Sequence, residues 1–66
     1  MSEWHLIKTL PKFYKNETDA VEVMLKNELR EVGRFVKKDN GDIIFDTGYM
    51  TLDLIRIVKW RNIDLF

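Results

Sequence analysis

The sequence predicts an α+β domain: a small antiparallel sheet, made of an N-terminal strand and a hairpin, packed by one helix over residues 18–32 and a second near the C-terminus. Three observations carry this expectation. Val21, Met24, Leu25, Leu29 and Val32 recur at steps of three and four, which places them on one stripe of a helix turning about 100° per residue. Asp39-Asn40-Gly41 separates two apolar segments, as a hairpin turn does. Before both, Trp4, Leu6, Lys8 and Leu10 alternate with His5, Ile7 and Thr9 in the period of a strand.

The N-terminal strand spans residues 4–9 and stops at Pro11, which has no amide to give a ladder. Residues 11–16 then read as a connector whose Phe13 and Tyr14 lie between Lys12 and Lys15. Rings interleaved with cations suit stacking on bases beside phosphates, although packing over the end of a core accounts for the two aromatics more simply.

The helix over residues 18–32 has a start and a stop. Thr18 can accept from the free first-turn amides, Asp19 and Glu22 sit at the positive end of the dipole, and Gly33 follows as a left-handed terminator. Two residues disagree with it. Glu28 falls inside the apolar stripe, either at its edge with access to water or as a partly buried carboxylate, and Val23 lands on the polar face. An exposed Val23 is ordinary for a surface, yet it also suits a contact with a second molecule.

Residues 34–38 and 42–47 form the hairpin, with Phe35, Val36, Ile43, Ile44 and Phe45 giving it apolar side chains on both faces. Arg34, Lys37 and Lys38 make its near strand basic, in the general form of a nucleic-acid-binding wing or of an edge strand charged against aggregation. Asp46-Thr47-Gly48 reads as a turn, the aspartate accepting amide bonds and the glycine supplying the backbone angle. Residues 49–60 admit two readings. As a helix capped by Thr51 they gather Leu54, Ile55, Ile57 and Val58 on one side; as a fourth strand they alternate with a slip that requires a bulge. The charges Asp53, Arg56 and Lys59 fall every third residue, so the helix is preferred. Ile63, Leu65 and Phe66 make an apolar tail that should dock on its own core or on another chain.

Composition narrows the function. A chain of 66 residues makes one domain, residues 1–66, that buries only about 60% of its unfolded surface. It has no cysteine for disulfides or thiolate sites, which favours self-association into a homodimer as a supplement to the core. Eleven basic and eleven acidic residues cancel, removing a global attraction for nucleic acid or anionic lipid. No long apolar run or signal-like start is present, so a cytoplasmic protein is expected. One histidine, one serine and no phosphate loop leave no catalytic, metal or cofactor constellation, and we expect no enzyme, no cofactor and no small-molecule ligand. Two functions stay open. The first is protein interaction through Val23, Trp60, Ile63, Leu65 and Phe66; the second is nucleic-acid binding through Lys12, Lys15, Arg34, Lys37 and Lys38.

Overall fold

A computed structural model describes residues 3–63. It is nearly all β, and the expected α+β architecture is replaced by a curled antiparallel sheet. The strands are β1 (His5–Leu6), β2 (Phe13–Tyr14), β3 (Glu17–Thr18), β4 (Val21–Leu25), β5 (Arg30–Lys37), β6 (Ile43–Asp46), β7 (Thr51–Asp53) and β8 (Ile57–Asn62). The only helical segment among the described residues is a 3-10 turn, Leu54–Arg56.

The expected first helix is a hairpin. Val21, Val23 and Leu25 alternate inward along β4, and this period-two series of core residues overrides the three-four stripe. Leu29 and Val32, assigned to the helical core, are exposed instead. The chain reverses at Lys26-Asn27-Glu28: the Glu28 amide donates to the Leu25 carbonyl at 2.9 Å and the Leu25 amide to the Leu29 carbonyl at 2.8 Å. Glu28, which jarred with the stripe, is the left-handed residue of this turn at φ 70°. Thr18 caps no helix; its buried hydroxyl accepts the Phe35 amide at 3.1 Å and donates to the Asp19 carbonyl at 2.9 Å.

β5 organises the sheet. Its first half pairs with β4, from Met24↔Arg30 to Val21↔Gly33, and its second half with β6, from Arg34↔Asp46 to Lys37↔Ile43. Gly33 marks the exchange of partners rather than a helix end. A Cβ there would lie 2.2 Å from the Asp46 carbonyl oxygen, so the two strands approach this closely only because the side chain is absent. The expected turn at residues 39–41 is present, closed by Lys38 N–H to the Asp42 carbonyl at 2.7 Å with Gly41 at φ 93°.

The expected second helix is also absent. β7, the 3-10 turn and β8 occupy its residues, and β8 returns to pair with β4 on one side and β1 on the other. Leu25 pairs with Ile57 and Met24 with Lys59, leaving Val58 as an extra, bulged residue. The bulge lets Ile57 and Trp60, three apart, both face inward. The N-terminal strand is shorter than expected and ends in a turn, while the connector carries β2, paired with β3. Val21, Val23, Leu25, Phe35, Phe45, Leu52, Ile57 and Trp60 form the core, with Phe35 and Phe45 edge to face at 5.0 Å.

Candidate functional site

The curl gives the sheet an inner side, filled by the core, and an outer side. The register decides what the outer side presents. Across β1, β8, β4 and β5, Leu6 stands beside Lys59, Lys59 beside Met24, and Met24 beside Arg30. One step along, Arg61 stands beside Glu22 and Glu22 beside Val32, and the Trp4 ring lies against Arg61 at 4.4 Å and Lys59 at 5.1 Å. Leu6 is 58% exposed and Val32 53%, so apolar side chains from β1, β4 and β5 alternate across the face with three cations and one carboxylate.

The electrostatics of this face are partly settled within it. Glu22 accepts from the Arg61 guanidinium at 2.6 Å and meets that of Arg30 at 4.0 Å. Both arginines therefore carry a carboxylate partner, and the Arg61 guanidinium also lies on an indole face. Lys59 lies against the same ring.

A second concentration of charge lies where β5 runs beside β3 and β6. The Asn16 carbonyl accepts the Lys37 amide at 2.7 Å, which sets the Lys15-Asn16 turn beside the end of β5 and the Lys38–Asp42 turn. Lys12 reaches the Tyr14 ring at 5.2 Å, and Tyr14 is 55% exposed. Arg34 meets Glu17 at 3.5 Å across β3 and β5. The structure thus sets Lys15 beside Lys37 and Lys38, while Arg34 lies farther back along β5 and Lys12 lies beside Tyr14 and Asp19.

The residues proposed for protein interaction fare differently. Val23 is wholly buried, and Trp60 is 6% exposed, its indole N–H donating to the Thr9 carbonyl at 2.7 Å and its ring 4.6 Å from that of His5. Both face the core, because the strand period turns inward what the helical period turned outward. Ile63 is half-buried after β8; Leu65 and Phe66 lie outside the described residues. Sequence reasoning missed Leu6, Met24 and Val32 as surface groups. Their signal was the alternation with His5, Val23 and Glu31.

On the third loop, Asp46 accepts the Gly48 amide at 2.7 Å and Gly48 has φ 97°, the turn chemistry expected there. Tyr49 donates from its hydroxyl to the Glu31 carboxylate at 2.6 Å, and this bond holds the phenol above its ordinary value of 10.0. Among the described residues no three His, Cys, Asp or Glu side chains converge as metal ligands, and no helix is long and apolar enough to cross a membrane. No protein-family model, curated protein or solved structure matches the chain.

Proposed function

We propose that the chain is a small, non-catalytic protein-binding domain of the cytoplasm, and that its binding surface is the outer face of β1, β8, β4 and β5. The observation that carries this reading is the alternation of Leu6, Met24 and Val32 with Arg30, Lys59 and Arg61. Exposed apolar side chains set among arginine and lysine are a composition found at recognition surfaces, and this face spans four of the eight strands. Three cations against one carboxylate leave the face net positive, so its complement is an apolar surface with acidic groups at its margin. Two copies of the face would set Arg30, Lys59 and Arg61 against their own kind, which favours a different protein over the homodimer. A cytoplasmic setting fits a chain without cysteine.

The test replaces Leu6 and Val32 by glutamate. Both side chains are mostly exposed, so the double variant should fold as the parent does. Proteins retained from cell extract by the immobilised parent should be lost from the variant, and sedimentation should give a monomer for both. Identical retained proteins with the two baits would defeat the proposal, as would a parent dimer that the substitutions leave intact.

A further inference from the structure

From the other end of the sheet we infer that the β2–β3 turn and the β5–β6 turn together bind single-stranded nucleic acid. Tyr14 is the stacking platform, and Lys12, Lys15, Lys37 and Lys38 receive phosphates. This site is separate from the sheet face and does not depend on it. Four observations lead to it.

First, the cations of the molecule divide by type. The ion pairs among the described residues all use arginine, at Arg30, Arg34 and Arg61, while Lys12, Lys15, Lys37 and Lys38 enter none of them. These lysines are exposed, as charges that answer a polyanion must be. Second, two of the neighbouring acids are engaged: Glu17 meets Arg34, and Asp42 accepts from the Asn40 amide at 3.2 Å. Over residues 12–19 and 34–42 Lys12, Lys15, Arg34, Lys37 and Lys38 stand against Glu17, Asp19, Asp39 and Asp42, a surplus of one positive charge (five minus four) in a chain whose total is zero.

Third, an aromatic ring stands among them with half its surface in water and a lysine already against it. A base can stack on a tyrosine so placed while its flanking phosphates meet the lysines. Fourth, Lys15 holds a left-handed backbone, φ 62°, in a two-residue turn that glycine or asparagine would occupy with less strain. A lysine kept at that position projects its charge from the apex of the turn.

The exposed ring selects single strands. Where the lysines gather, β5 has β3 on one edge and β6 on the other. A base reaches the exposed Tyr14 ring only when it is free of a duplex stack, so the ring favours a single strand.

The probe is a fluorescein-labelled oligothymidine of about fifteen nucleotides, a length that spans the site of one small domain. It is titrated with the full chain and followed by anisotropy, beside a duplex of equal length. Micromolar binding of the single strand is expected. Four phosphate contacts predict a loss of about fifty-fold in affinity between about 50 and about 200 mM salt. Tyr14→Ala should weaken binding about five- to 150-fold, the range for one lost base stack. Lys37→Gln with Lys38→Gln should lower the salt slope, whereas Lys26→Gln, in the turn at the opposite end of β5, should leave both affinity and slope unchanged. Circular dichroism establishes that each variant is folded before it is titrated. The inference is overturned by absence of binding at low salt, by tighter binding of the duplex, by a folded Tyr14→Ala that binds like the parent, or by Lys26→Gln weakening binding as much as the lysine pair does.

Discussion

Glu28 and Gly41 occupy the same place in two turns of the same build. In each, an amide donates three residues back and the flanking strands close with a second bond. Gly41 adopts φ 93° without a Cβ to clash, whereas Glu28 holds φ 70° with one. Replacing Glu28 by glycine should therefore stabilise the fold by about 0.5–1 kcal/mol, read as a higher denaturant midpoint at unchanged slope. Tyr49 gives a residue-level prediction in pH. Its folded phenol titrates above the ordinary 10.0 because the hydroxyl donates to Glu31, so the contact favours the protonated form. That contribution is complete below about pH 10, the unfolded value, and is lost as pH rises through the raised folded value. Ultraviolet difference absorbance of the folded protein should show one late-titrating tyrosine, and Glu31→Gln should bring it back towards the ordinary value.

At the scale of elements, the exchange of partners along β5 depends on one missing side chain. Gly33→Ala places a Cβ against the Asp46 carbonyl, and neither backbone can move without breaking pairing with β4 or β6. We expect a loss of about 3 kcal/mol or more, measured by chemical denaturation. The same strand explains how far the elements were legible. The turns at residues 39–41 and 46–48 were readable because their chemistry is local: glycine at positive φ and aspartate accepting an amide two residues on. β4 was not, because Val21 and Leu25 belong to both periods, and only Val23 and Glu28 distinguished them. Their misfit with the helix was the evidence for the strand. The slip across residues 54–58 resolves into a 3-10 turn and a bulge, which place Ile57 and Trp60 inward by geometry that no simple period describes. The basic candidates, Lys12, Lys15, Arg34, Lys37 and Lys38, were legible as charges; the placing of Lys15 beside Lys37 and Lys38 depends on the bond between Asn16 and Lys37, which spans separate segments.

For the whole molecule, eight buried side chains among the described residues make the core, and the stability of a chain of this length is about 3–10 kcal/mol. Phe45 is fully buried and meets Phe35 edge to face. Phe45→Ala costs about 3–5 kcal/mol, most of that margin, and should leave a population visibly unfolded by circular dichroism at 37 °C. The closing strand also sets the response to mechanical load. β1 and β8 run antiparallel, with His5 beside Trp60, so residues 4 and 61 lie side by side at one end of the pair. Force applied through those two positions opens their hydrogen bonds one after another, as a zip opens, instead of straining them together in shear. Once β8 peels from β1 and then from β4, the core loses Ile57 and Trp60 and β4 is left as a bare edge. In a tweezers experiment the molecule should thus yield at low force, in a single step, and re-form readily when the tension is released.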